Sequence, residues 1–213
     1  MGNFDLIHSL KLLPGIILGL TVHEYSHAIV AHWCGDDTSR DQGRISLNPL
    51  KHIDPYGFIL LFIAGFGWAK PVQFNEGNLR DPRKDVIKIA VAGPLSNAIL
   101  AMILSVIMVT VSGFVELRSA APAIWEITVY AIFINWGLFI FNLIPLPPLD
   151  GSHLLFSPFR KYPAIYNVLF KYGSWLLFAL IILTIVSKRN FLPIWPLIEL
   201  IGNGFLGIFG YSF

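Results

Sequence analysis

The sequence predicts an all-α, polytopic membrane protein, and three observations carry that reading. Of 213 residues, 55% are hydrophobic and 13% charged, whereas soluble domains run nearer a quarter charged. Apolar stretches of the roughly 20 residues needed to cross a bilayer recur along the chain. Basic residues gather between those stretches, the bias that orients membrane helices. The expected architecture is about five transmembrane helices plus one short re-entrant or extended segment, in a single membrane-embedded domain over 1–213. Its core would occupy about 6–156, with further helices over about 164–210.

The first stretch, Leu6–Cys34, is interrupted early by Lys11 and Pro14, and no small-residue cleavage site follows it. It therefore reads as a retained helix, not a secretory signal. Tyr56–Ala69 is apolar but only fourteen residues long, short for a span and suited to a re-entrant element. Gly43–Pro49 and Trp68–Phe74 are bordered by turn residues and contain prolines, which suits extended segments or interfacial loops. Val86–Phe114, Pro122–Pro145 and Tyr166–Ser187 are full-length spans, and Phe191–Phe209 is a fifth, weakened by Pro193, Pro196 and several glycines. There is no internal repeat and no low-complexity tract.

If the short element returns to its own side, Arg40, Arg44, Lys51, Lys70, Arg80, Arg83 and Lys84 share one membrane face with Arg160 and Lys161. The other face keeps Arg118, Lys188 and Arg189. The positive-inside bias then places the amino terminus outside and the end of the first helix toward the cytoplasm. A net charge of +2 gives no reason to expect nucleic acid as a partner. Cys34 is the only cysteine, so an internal disulfide and a cysteine-based zinc finger are excluded, and it reads as a small apolar residue.

Inside the first apolar stretch lies His23-Glu24-Tyr25-Ser26-His27. Histidines four apart on a helix sit one turn above each other on nearly one face, so both imidazoles can reach one metal ion. Glu24, about 100° around the helix from His23, stays beside the metal without competing as a ligand and can act on water. Ionisable residues in a membrane are costly, and a hydrolytic zinc site would account for three within five positions. Catalytic zinc keeps three protein ligands and an open position, so a third ligand is required. Asp150 is the favoured candidate, beside a backbone broken by Pro145, Pro147 and Pro148. Such breaks persist at membrane depth only when packed in protein or lining a wet cavity. His153, Glu126, Asp54 and Glu199 remain alternatives, and an ordinary N-cap is the competing role for Asp150. His8, His32 and His52 are assigned structural or interfacial roles.

His23–His27 matches an HExxH motif, and Asn142–Gly151 matches NxxPxPxLDG throughout. With Ala92-Gly-Pro-Leu-Ser-Asn97 and Gly43–Gly57, these motifs resemble the site-2 proteases, intramembrane zinc metalloproteases of regulated intramembrane proteolysis. The likeness runs from the first helix to Gly151 and is nearest the compact bacterial branch without a PDZ domain. It implies one zinc ion on His23, His27 and Asp150, with Glu24 as general base and acid. Asn142 would stand near the catalytic centre in position to contact substrate backbone. Asn97 and Gly93 would serve as helix-packing elements. The implied substrates are membrane proteins with single spans, cleaved in a bacterial plasma membrane with the active site toward the cytoplasm. Two other classes compete. A non-catalytic scaffold or chaperone for transmembrane helices would have no need of Glu24, and a metal transporter would need more polar residues lining its helices.

Overall fold

Helix boundaries fall where proline and the small polar residues put them. In the computed structural model, which describes residues 6–64, 67–156, 159, 161–187 and 194–207, the chain is helical and carries no strand among these residues. The helices are α1 (Leu6–Trp33), α2 (Thr38–Asp41), α3 (Pro55–Ala64), α4 (Pro82–Phe114), α5 (Leu117–Ala120), α6 (Pro122–Asn142), α7 (Gly151–Phe156), α8 (Pro163–Ser187) and α9 (Ile194–Gly207). α4 begins four residues before the apolar run because the Asp81 carboxylate accepts from Lys84 N at 3.3 Å and Pro82 opens the first turn, a favoured N-terminus. α6 stops at Asn142, short of the expected Pro145. Pro145 has no amide to donate, and the residue before a proline is disfavoured in helical geometry. α8 opens on Pro163, earlier than Tyr166, again with a proline in its first turn.

Three described helices are long and apolar enough to cross a membrane: Pro82–Phe114, Pro122–Asn142 and Pro163–Thr184. α1 has 28 residues, length for about 42 Å, but it carries Lys11 and the His/Glu cluster. It packs against both α4 and α6, which shields those polar groups from lipid as their cost requires. α9, with 14 described residues, covers only about 21 Å. It is too short to cross over its described length and packs on α6, where Ile198 joins the buried cluster of Ala101, Met108, Trp125, Ile132 and Trp136. Phe191–Pro193, residues 208–209, Arg160, Lys188 and Arg189 lie outside the described residues.

α1 and α6 approach through glycines. A Cβ on Gly15 would lie 2.7 Å from Ala131 Cα, and one on Gly19 would lie 2.8 Å from Asn135 Oδ1. Two small residues four apart make one continuous flat face, the arrangement by which membrane helices pack backbone to backbone. Lys11 and Glu126 form an ion pair farther toward the start of both helices. The matching order of these contacts shows that α1 and α6 run parallel.

The stretch between α1 and α4 doubles back on itself. α3 has ten residues, about 15 Å of helix. The residues flanking it meet as an antiparallel bridge between Ile53 and Ala69, with Lys70 N donating to His52 O at 2.7 Å. The element therefore returns to the place where it began, as the re-entrant reading requires. That bridge is the sole β pairing among the described residues, so Trp68–Phe74 is paired only at its start, through Ala69, and Gly43–Pro49 has no strand partner. Arg44 ties them together, donating to Lys51 O at 2.6 Å and also to Lys70 O.

Asp36 fixes this layer to α1. Its fully buried carboxylate accepts from Thr38 Oγ1 at 2.6 Å, Thr38 N at 3.2 Å, Asn78 Nδ2 at 2.8 Å and Asn75 N at 2.8 Å. Burial pushes its pKa up, but the bonds from Thr38, Asn78 and Asn75 outweigh it and hold the carboxyl below its ordinary value of 3.8. A depressed folded pKa contributes stability that is present above the unfolded value and is lost as pH falls through the folded one. Asp36→Ala, which strands four donors, is expected to cost about 2–4 kcal/mol. Thermal unfolding in detergent at neutral pH should show that loss. The variant should also lose less stability than the parent on acidification below about pH 4.

Candidate metal centre

The site is built outward from the hydrogen bonds that fix two imidazoles on α1. Asn135 Nδ2 donates to Ala131 O at 2.8 Å, which turns its Oδ1 toward α4. There it accepts from Asn97 Nδ2 at 2.9 Å, and the same nitrogen donates to Gly19 O at 3.0 Å. Asn97 Oδ1 is thereby left to accept from His23 Nδ1 at 2.7 Å. His27 Nδ1 donates to the Ile89 carbonyl at 2.7 Å. With both Nδ1 atoms committed as donors, both neutral rings present bare Nε2 lone pairs. All four side chains are buried.

The third group comes from the turn after α6. Between Asn142 and α7 the chain folds tightly, with Leu146 N donating to Ile144 O at 2.8 Å and Leu149 N to Leu146 O at 3.0 Å. Gly151 passes so near the start of this turn that a Cβ would lie 2.3 Å from the Leu143 carbonyl. This folding carries Asp150 to the histidines. Its Oδ2 stands 3.1 Å from His23 Nε2 and 3.3 Å from His27 Nε2, and the two Nε2 atoms are 3.0 Å apart.

These residues fit a zinc ion. Three electron-pair donors face one another without a proton assigned between them, and Asp150 Oδ2 is a buried oxygen without a hydrogen-bond partner. A cation removes that repulsion. A tetrahedral ion with bonds of about 2.0–2.1 Å has ligand-to-ligand edges of about 3.3 Å, close to the observed 3.0–3.3 Å. Two imidazoles and a carboxylate also suit zinc chemically. Space is reserved on the α4 side, where a Cβ on Gly93 would lie 2.4 Å from His27 Nε2 and 2.7 Å from His23 Cε1.

Glu24 stands beside this triangle, its Oε2 accepting from the backbone N–H of Val72 at 2.9 Å. Both border a cavity of about 450 Å³ lined by the two histidines, Asp150, Asn142 and, from the Trp68–Phe74 segment, Trp68, Ala69, Pro71, Val72 and Phe74. Arg44, buried beneath the re-entrant layer, is a cation whose pKa burial lowers and the Glu24 charge raises, with burial prevailing. Of the two irregular segments, Trp68–Phe74 is the one that borders this cavity. Gly43–Pro49 does not line the cavity and instead supports it through Arg44.

Asn142 reaches the cavity wall, although its Nδ2 donates back to Leu138 O at 3.0 Å. His153 also lines the cavity but stays out of the ligand triangle and packs on Phe170, ring centroids 5.5 Å apart. Asp54 caps α3, accepting from Tyr56 N at 3.0 Å and Gly57 N at 2.9 Å, and Glu126 pairs with Lys11. Glu199, on α9, does not join the triangle. His8 packs edge-on against Tyr130, His32 bonds Asp37 at 2.5 Å, and His52 Nε2 donates to Ser46 O at 2.6 Å. These three are structural, as their positions suggest. Sequence reasoning took Asn97 and Gly93 as packing elements only and passed over Asn135. In the structure Asn97 sets the His23 tautomer and Gly93 makes room at the ligands.

A family model described as Peptidase family M50 matches residues 12–124 and 108–185. The chain is 41% identical to "Putative zinc metalloprotease YwhC" of Bacillus subtilis over 156 residues, covering 70% of this chain and 71% of the relative. It is 29% identical over 145 residues to Rip2 of Mycolicibacterium smegmatis, which carries the same description, covering 66% of this chain but 54% of that relative. A further relative so described, from Methanocaldococcus jannaschii, is 28% identical over 159 residues, covering 74% and 75% respectively. No solved structure matches the chain significantly.

Removing the groups that orient a metal-binding histidine usually weakens metal affinity about 10- to 100-fold. Asn97→Ala should show a loss of that order in zinc titration against a competing chelator. Gly93→Ala should retain less zinc still, because its methyl group occupies the space against both imidazoles. Elemental analysis of the purified variants checks both outcomes.

Proposed function

We propose, from the premise that the chain belongs to Peptidase family M50, the site-2 protease family, and is a membrane-embedded zinc metalloprotease, that it hydrolyses peptide bonds within or beside transmembrane segments of other membrane proteins. The observation that carries this reading is the meeting of three ligand atoms within 3.3 Å of one another beside Glu24, in a cavity bordered by apolar spanning helices. His23, His27 and Asp150 would hold the ion. When bound, zinc acts as a Lewis acid on the scissile carbonyl and makes water a nucleophile at neutral pH.

Glu24 does the proton work. The Val72 N–H holds one of its oxygens, which fixes the carboxylate and leaves Oε1 to take a proton as the water oxygen adds to the carbonyl carbon. Glu24 then gives that proton to the departing nitrogen as the C–N bond breaks, leaving a carboxylic acid and an amine. Asn142, on the cavity wall, is placed to meet substrate backbone once its amide turns from Leu138 O.

The substrate must present its bond unwound, because helical backbone groups are already paired. Trp68–Phe74 supplies an extended template along the cavity, the mode in which edge strands bind peptides, although Pro71 offers no N–H there. Single-span membrane proteins are the substrates of choice, since one helix can enter and unwind without dismantling a bundle. The bacterial relatives support a plasma-membrane location, and the distribution of lysine and arginine favours a cavity toward the cytoplasm.

Metal analysis combined with cleavage of a model transmembrane peptide tests the assignment. Glu24→Gln should keep its zinc and lose about 10²–10⁴-fold in turnover. Asp150→Ala should lose both zinc and turnover. Full activity in Glu24→Gln would remove the general base from the mechanism.

A further inference from the structure

We infer that a second, predominantly apolar recess sharing walls with the catalytic cavity is a specificity subsite. It takes one leucine- to phenylalanine-sized side chain of the cleaved segment, one or two residues from the scissile bond. The inference rests on the proteolytic reading above and deepens it. The recess, of about 160 Å³, lies between α1, α3 and α6. Ile17, Ile53 and Phe58 are among the residues that enclose it, while Leu20, Trp68 and Leu138 are shared with the catalytic cavity. No charged or hydrogen-bonding side chain other than the Trp68 indole borders it among the described residues.

Position and size each point to a substrate side chain. Leu20 precedes Glu24 by one helical turn on α1, and Leu138 precedes Asn142 by one turn on α6. On both helices the recess is therefore displaced about 6 Å from the reacting groups, in the same direction because the helices are parallel. An extended peptide advances about 3.3 Å per residue, so a side chain one or two positions from the bond falls at that displacement. Trp68 begins the segment proposed to align the substrate and also borders the recess. A cavity of about 150 Å³ lined by aliphatic and aromatic groups stays dry and accepts a benzene ring. Six carbons fit this one, and a charged side chain would lose its hydration without a partner.

The adjacency of the two cavities favours substrate over a lipid chain as the occupant, since Leu20, Trp68 and Leu138 border both. The test uses the full-length, zinc-loaded protein and a panel of transmembrane peptides. Each residue flanking the cleaved bond is changed in turn to Ala, Leu, Phe or Asp, and kcat/KM is compared within each enzyme. In the parent, one position should favour Leu or Phe over Ala by about tenfold or more and reject Asp. Ile17→Phe, which fills the recess, should abolish or reverse the Phe-to-Ala ratio at that position alone. Ile17→Ala should raise it. Because the readout is a ratio at one position relative to the others, a general loss of turnover does not enter. Two results overturn the subsite: a parent indifferent to side-chain size at every position, or a preference that neither variant moves. Zinc-loaded parent enzyme that cleaves no peptide overturns the proteolytic reading itself, a separate result.

Discussion

Two imidazole nitrogens and one carboxylate oxygen, all presenting lone pairs, are held 3.0–3.3 Å apart in a poorly solvated interior. Such an arrangement repels itself unless positive charge sits at its centre. Much of the surrounding structure can be understood as what holds the three atoms there. The Asn135–Asn97 chain and the Ile89 carbonyl prevent either histidine from turning its protonated nitrogen inward. The tight turn after α6 prevents Asp150 from retreating, because Gly151 is already pressed against the Leu143 carbonyl.

The helix arrangement follows from the same constraint. An amide chain from α6 through α4 to α1 needs backbones closer than ordinary side chains permit. Gly15 and Gly19 on α1 provide that approach, and Gly93 on α4 provides it at the imidazoles themselves. In lipid there is little hydrophobic force to press helices together, so small residues and interhelical hydrogen bonds do much of that work. The buried asparagines therefore serve two purposes at once. They join three helices and they set which histidine nitrogen faces the cavity, so packing and chemistry cannot be altered separately there.

The parts of this molecule that were legible in the sequence are those governed by local rules. Helical periodicity places His23 and His27 together, and the three prolines after Asn142 announce a break with a carboxylate at its end. Spans followed from apolar length, with boundaries shifted by a few residues because caps such as Asp81 and Pro82 extend a helix beyond its apolar run. The short length of Tyr56–Ala69 was enough to suggest a return, which the Ile53–Ala69 bridge bears out. What could not be read were relations between distant residues. Nothing near Asn97 in the chain reveals that its partners are His23 and Asn135, 74 and 38 positions away. The choice of Asp150 over His153 likewise depends on how the turn delivers α7, which spacing does not determine. Gly15 and Gly19 did carry a readable signal, since small residues four apart in an apolar helix mark a close interface.

An irregular backbone is expensive where water is scarce, yet this chain has two irregular segments on opposite sides of one cavity. One is the turn that carries Asp150, and the other is Trp68–Phe74, whose Val72 N–H grips Glu24. Each segment satisfies part of its backbone with the catalytic groups or with its own turns. A substrate whose helix must open to be cleaved exposes unpaired amides and carbonyls of its own. The cavity lies where such groups can find partners, because neither segment is sealed into a helix or sheet. In the proposed reaction the apolar recess one turn away would complement this polarity, taking a side chain while polar groups hold the backbone beside it. The proposed cleavage would use both surfaces within a residue or two of each other, and the parallel course of α1 and α6 sets Leu20 and Leu138 one turn from Glu24 and Asn142, which matches that distance.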